Sequence, residues 1–125
     1  MGRFRLLVLL FSMGLCCKSC TGQEVTRVNQ QQLKDHVIGK KVQLVDVRSL
    51  SEYEEGHIEG ALNFNVMDRK KFMKQIETLD KNSPVYLYCK SGVRSKNAAE
   101  LLKLEGFVEI FDYSGGYDDW KKSKK

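Results

Sequence analysis

Val85-Tyr-Leu-Tyr-Cys89-Lys-Ser-Gly-Val-Arg94-Ser95, followed directly by Lys-Asn-Ala-Ala-Glu-Leu-Leu-Lys-Leu-Glu-Gly106, decides how this chain of 125 residues is read. Val85 to Tyr88 are β-branched, aromatic and apolar, which predicts a short buried strand. The alanines and leucines from Ser95 to Glu105 predict a helix. Cys89 therefore falls at a strand-to-helix turn. Backbone N–H groups of residues 90 to 95 can converge there, and a helix N-terminus adds about half a positive charge, so the turn favours an anion on the sulfur. Lys90 and Arg94 strengthen that field, which selects thiolate over thiol. A core cysteine capping an apolar strand is the plainer alternative. A glycine, an arginine and a helix start within six residues favour a reactive thiol presented to a substrate.

On either side of this stretch, strands and helices alternate. Val25 to Val28 is a short strand, and Asn29 caps a helix reaching Val37. Lys41 to Val47 is a strand rich in valine and leucine, and Ser51-x-x-Glu54 is a capping box on a short helix. Ala61 to Phe64 is extended, and Asp68 caps a helix to Leu79 with Phe72, Ile76 and Leu79 on one face. Lys81 to Pro84 turns the chain into the Val85 strand, and Gly106 ends the helix that follows it. Val108 to Phe111 is the next strand, and Tyr117 to Lys122 is a final helix. Near-continuous apolar strands separated by helices imply an α/β fold: a central, mainly parallel sheet with helices on both faces. Ligands of such sheets bind at the carboxyl ends of the strands, where Cys89 lies. No internal repeat is visible.

Spacing narrows the chemistry. A Cys-x5-Arg loop is the phosphate cradle of protein tyrosine phosphatases, but only Lys90, Ser91, Gly92 and Val93 separate Cys89 from Arg94. A shorter ring of amides makes a tighter hollow, better matched to one extra sulfur atom than to three phosphoryl oxygens. Cys89-x-x-Gly92-x-Arg94-Ser95 resembles the active loop of the rhodanese family, the single-domain sulfurtransferases. Leu44-Val-Asp46-Val-Arg48 with Glu52-Tyr53 and Gly56-His57-Ile58-Glu59-Gly60-Ala61-Leu62-Asn63 is similar to that family's first signature. Gly115-Gly116-Tyr117-Asp118-Asp119-Trp120 is similar to its closing Gly-Gly-x-x-x-Trp. The three blocks run in order from about Val25 to Trp120. The resemblance implies a rhodanese-like domain in which Cys89 takes sulfur from a donor such as thiosulfate, carries it as a persulfide and passes it to a thiophilic acceptor. It also implies a substrate loop of Lys90, Ser91, Gly92, Val93, Arg94 and Ser95, a small anionic sulfur donor, a thiol or cyanide-like acceptor, and no cofactor. A non-catalytic binding module is the alternative, with a cysteine-dependent phosphatase or arsenate reductase behind it.

Asp46, Arg48 and His57 are the supporting candidates. Asp46 and Arg48 stand at a strand end, where they either contact the substrate hollow or pair with each other and with turn backbone. His57 is a general base by its chemistry and a structural turn residue by its place between Gly56 and Ile58. Arg94 either attracts the donor or braces the loop by pairing with a carboxylate. His36, His57 and the scattered cysteines have no metal-ligand spacing, and the glycines match no phosphate-binding fingerprint.

The N-terminus is a basic Met1 to Arg5, an apolar Leu6 to Leu15 and a small, mostly polar Cys16 to Gly22, the pattern of an export signal. The apolar run is shorter than the roughly 20 residues a span requires. Cleavage after Gly22 yields a soluble periplasmic protein, and cleavage after Ser19 leaves Cys20 for lipid attachment and a membrane tether. Residues 1 to 22 thus form the signal, and residues 23 to 125 form one domain with a short basic tail. That domain holds a single cysteine, Cys89, and 18 basic against 16 acidic side chains, a net charge of +2 in place of the full chain's +5. So small an excess excludes an electrostatic case for nucleic acid, and about a hundred residues bury one core. A monomer is expected.

Overall fold

In this computed structural model, residues 24 to 123 are described; the segment read as an export signal, with Cys20, and the last two residues of the basic tail lie outside the described residues. Ten elements alternate: β1 Val25–Val28, α1 Gln30–His36, β2 Gln43–Asp46, α2 Leu50–Glu55, β3 Leu62–Asn63, α3 Arg69–Ile76, β4 Val85–Tyr88, α4 Val93–Leu104, β5 Ile110–Tyr113 and α5 Gly116–Lys122. The strands form one sheet in the order β1-β5-β4-β2-β3, and every pairing is parallel. β4 lies at the centre between β5 and β2, and all four of its residues are buried. That position explains why its sequence is apolar throughout rather than alternating.

Side chains leave the two faces of the sheet in alternation. Val45, Val85, Leu87 and Ile110 pack with Phe72 and Ile76 of α3 and with Ala98, Ala99 and Leu102 of α4. Leu44, Tyr86, Tyr88 and Tyr113 pack on the opposite side with Leu33 of α1 and Trp120 of α5. Cys89 belongs to the α3/α4 side. No helix of the described residues is long and apolar enough to cross a membrane.

Several boundaries depart from the sequence reading. β2 spans Gln43–Asp46 rather than Lys41 to Val47, β3 Leu62–Asn63 rather than Ala61 to Phe64, and α3 ends at Ile76 rather than Leu79. The capping box of α2 is Ser49 with Glu52, not Ser51 with Glu54. The Ser49 hydroxyl accepts the Glu52 amide, and the Glu52 carboxylate accepts the Ser49 amide. Both serine-glutamate pairs satisfy the same spacing, and the one that wins lets Glu52 serve a second partner described below. β5 begins at Ile110 rather than Val108, because Phe107 plugs the core while Val108 stays about half exposed and ties its amide to the Lys81 carbonyl. α4 begins at Val93, two residues before Ser95, with Gly92 as its N-cap. That shift places Ser95 within the first turn of the helix, fully buried behind the cysteine.

Candidate active site

Cys89 follows the last residue of β4, at the carboxyl edge of the sheet, and the chain turns at once into α4. The turn depends on Gly92. Its φ of 98° lies in the left-handed region, and a Cβ there would stand 2.6 Å from the Ser114 carbonyl oxygen, so only glycine fits without strain. In this conformation the Gly92 amide donates to Cys89 Sγ at 3.0 Å. From the other side, the thiol donates to Ser95 Oγ across 3.5 Å.

The C-terminal block of the sequence holds this turn from outside. The amides of Tyr117 and Asp118, in the first turn of α5, donate to the carbonyls of Cys89 at 2.8 Å and Lys90 at 3.1 Å. Gly116, with φ of 68°, makes this approach feasible: a Cβ there would lie 2.4 Å from the Lys90 carbonyl oxygen. With those two carbonyls directed outward into α5, the loop is left with an amide facing the sulfur.

Two expectations for the loop are corrected. Of the amides from 90 to 95, the described hydrogen bonds give Sγ only that of Gly92, because α4 begins early and its first-turn groups follow the helix axis. The thiol is also not presented to solvent: Cys89 is 1% exposed, enclosed by the turn and the α4 face of the core.

Arg94 directs its hydrogen bonds to a carboxylate and not to the sulfur. Its guanidinium makes a two-pronged ion pair with Glu52 of α2, at 2.6 and 2.9 Å, bracing α4 against α2. Glu52 carried no role in the sequence reading, although its place three residues after Ser49 and four before Gly56 was the available signal. Arg94, together with the Ser49 hydroxyl and amide, holds the Glu52 carboxyl down to about 2, against a smaller upward push from burial. The unfolded chain, at the ordinary value of 4.5, takes up a proton first as acid is added. The pair's contribution is thus complete above about pH 4.5 and is lost as pH falls toward 2. Because both side chains keep about a quarter of their surface in water, that contribution is about 1 kcal/mol. In urea titrations, the wild-type midpoint is expected to fall between pH 5 and 2 by more than that of Glu52→Gln. Parallel falls would refute the assignment.

Asp46 and Arg48 pair with each other. The Asp46 carboxylate accepts Arg48 Nε at 2.9 Å and Nη2 at 2.7 Å, as well as the Arg48 amide at 3.0 Å. Arg48 Nη2 also donates to the Gly56 carbonyl at 2.7 Å, and its guanidinium lies 4.4 Å from the centre of the Tyr117 ring. The Asn63 amide group donates to the carbonyls of Asp46 and Arg48. Together these bonds fix the loop after β2 beside α5. His57 is exposed and distant in role. Its Nδ1 bonds the Tyr53 carbonyl at 2.8 Å and its ring stacks on Tyr53, so it shapes the α2 turn. Ser91 and Val93 are exposed on the loop.

Over the turn opens a cleft of about 260 Å³ lined by Arg48, Glu52, Glu55, Lys90, Tyr117, Asp118 and Lys121. Lys90 is thus the loop residue that lines this cleft, and both signs of charge meet there.

A thiol at the carboxyl edge of a parallel sheet, with a backbone amide on its sulfur and a glycine pair gripping its turn, now stands beside the comparisons. The model of the rhodanese-like domain matches residues 29–123. The chain belongs to the rhodanese family. Among curated relatives, this rhodanese-like chain is 43% identical over 81 residues to the uncharacterized protein YqhL of Bacillus subtilis, a match covering 65% of the chain and 62% of that protein. It is 34% identical over 92 residues to the thiosulfate sulfurtransferase GlpE of Shewanella oneidensis, covering 74% of the chain and 88% of the relative. Among solved structures, a rhodanese-like domain protein of Staphylococcus aureus superposes with a TM-score of 0.67 at 28% identity, covering 77% of this chain and 91% of that one. The five-stranded sheet flanked by helices is therefore a rhodanese fold.

Proposed function

We propose that this rhodanese-like protein is a sulfurtransferase that carries a sulfane sulfur on Cys89. Kinship with the thiosulfate sulfurtransferase of Shewanella oneidensis, over most of both chains, supports that activity class. The observation that carries the residue assignment is the Gly92 amide aimed at Sγ at 3.0 Å from a turn fixed by Gly92 and Gly116. In the first half-reaction the Cys89 thiolate attacks the outer sulfur of thiosulfate. The new S–S bond forms as the old one breaks, sulfite leaves with the electron pair, and the persulfide keeps one negative charge. In the second, a thiol or cyanide-like nucleophile takes the terminal sulfur and returns the thiolate. Lys90 draws the anionic donor to the cleft, and the amide supports the charge on sulfur in both states.

The test is intact-mass spectrometry of reduced protein after incubation with thiosulfate. One added sulfur atom, mapping to the peptide that holds Cys89 and removed by cyanide, is the expected result. An unchanged mass would refute the persulfide route.

Export to the bacterial periplasm, through removal of residues 1 to 22 or acylation of Cys20, is part of the same proposal and is supported by the basic, apolar and small-polar order of the N-terminus. A mature chain beginning at Gln23, or at an acylated Cys20 in a membrane extract, is expected. An intact Met1 in cell fractions would refute it.

A further inference from the structure

β5 carries a carboxyl that the chemistry above leaves idle. Asp112 is 4% exposed, and its Oδ1 has no hydrogen-bond partner among the described residues. A carboxylate kept from water with an oxygen unserved costs stability, so its presence calls for a partner. Asp112 lines a cleft of about 290 Å³ between β1 and α4, which shares no residue with the cleft over the Cys89 turn. Arg27 of β1, in register with Asp112 on the neighbouring strand, lines it too. So do Lys96, Glu100 and Lys103 of α4 and Glu24 ahead of β1. None of these charges takes part in the ion pairs of the described residues.

Chain direction sorts them into two ends. α4 returns the chain from the carboxyl edge of the sheet to its amino edge, opposite to the parallel strands. Glu24 to Arg27 rises about 10 Å at the pitch of a strand. Lys96 to Lys103 descends about 10 Å at the pitch of a helix. Arg27, Asp112 and Lys96 therefore stand at the carboxyl end of the cleft, and Glu24 and Lys103 at the amino end, with Glu100 between. Val25, half-buried, and Ala99, buried, supply apolar wall.

A buried carboxylate beside two cations suits a ligand that carries both signs on neighbouring atoms. An ammonium gives Asp112 the charged donor it lacks, and a carboxylate takes bonds from Arg27 and Lys96. A plain anion would leave Asp112 unserved and lie against its charge. A plain cation would offer nothing to Arg27 and Lys96. The volume is at the lower end of the range for ligand pockets, which limits the occupant to a small molecule.

We infer that this cleft binds a free α-amino acid, with its ammonium on Asp112, its carboxylate on Arg27 and Lys96, and its side chain running past Val25 and Ala99 toward the amino end. Charges of both signs at that end match a polar side chain better than an apolar one. The site needs nothing from the sulfur chemistry and stands whether or not Cys89 carries sulfur.

The test is amide-resolved nuclear magnetic resonance of the purified protein, titrated with each of the common L-amino acids to about 10 mM and, separately, with propylamine and propionate. At least one polar amino acid should move the amides of Val25, Arg27 and the Lys96 to Lys103 stretch saturably. Propylamine and propionate, with one charge each, should not. Asp112→Asn and Arg27→Gln should each weaken that binding at least about tenfold. No saturable shift with any amino acid overturns the site. Equal shifts with propylamine or propionate overturn it as well, since they reveal a patch that senses charge alone. So does undiminished affinity in a folded Asp112→Asn or Arg27→Gln protein. Circular dichroism identifies a variant that fails to fold, and the other then carries the test.

Discussion

Cys89→Ser is expected to reduce thiosulfate-to-cyanide sulfur transfer to background, a loss of at least about a thousandfold, with the fold intact. The serine hydroxyl is nearly the size of the thiol and can accept the Gly92 amide in its place, so the core on the α4 side should close around it and the melting temperature should change little. What disappears is chemical. An alkoxide is not formed at neutral pH, and oxygen cannot hold a transferable sulfane sulfur as a thiolate does. The same variant separates the alternatives drawn from the sequence. A module that works only by binding would keep its partner with serine at position 89. A thiolate phosphatase would show turnover of an aryl phosphate in the wild type that the variant loses. Equal sulfurtransferase rates in the two proteins would remove Cys89 from the mechanism.

Arg48→Met should produce the largest fall in stability of any single change at the site. Asp46 is fully buried and Arg48 is 3% exposed. Removing the guanidinium leaves a carboxylate in the core with the amide of residue 48 as its remaining donor from that residue. Breaking a buried pair from one side costs about 3–5 kcal/mol. For a domain of about 100 residues this lowers the melting temperature by roughly 12 °C or more. The Gly56 carbonyl and the Tyr117 ring lose their partner in the same stroke. The double variant Asp46→Asn/Arg48→Met removes the stranded charge and should recover about half of the loss. Thermal melts of the three proteins measure both effects. A single variant within a few degrees of wild type would mean that Asp46 is not held by Arg48 in solution.

The alternation of elements was legible because β4 is an unbroken apolar run, α1, α2 and α3 carry side-chain caps and α4 has an alanine-leucine body, local signals that tertiary packing did not override. Gly92 and Gly116 stand where left-handed backbone and close approach admit one residue type, so the need is written into the chain. Partnerships between distant segments were not. Glu52 and Arg94 stand 42 residues apart, and a surface carboxylate carries no mark of which cation it will meet. Asp112 was hidden more thoroughly. It lies in a strand whose start was placed two residues early, among aromatic neighbours that draw attention to packing, and only the register with β1 and β4 shows it beneath α4. The enclosure of the thiol is likewise a property of how the turn closes, to which no residue type testifies.

The grip of α5 on the turn has a practical side. Two main-chain bonds tie the carbonyls of Cys89 and Lys90 to the amides of Tyr117 and Asp118, so the final helix serves as a clasp on the reactive thiol, and whatever loosens one end slackens the other. Reporter domains, immobilisation handles or affinity tags fused close behind Ser123 load that clasp directly. The opposite end of the domain, entering the sheet at the edge strand β1 beside β5, is the safer place to attach them.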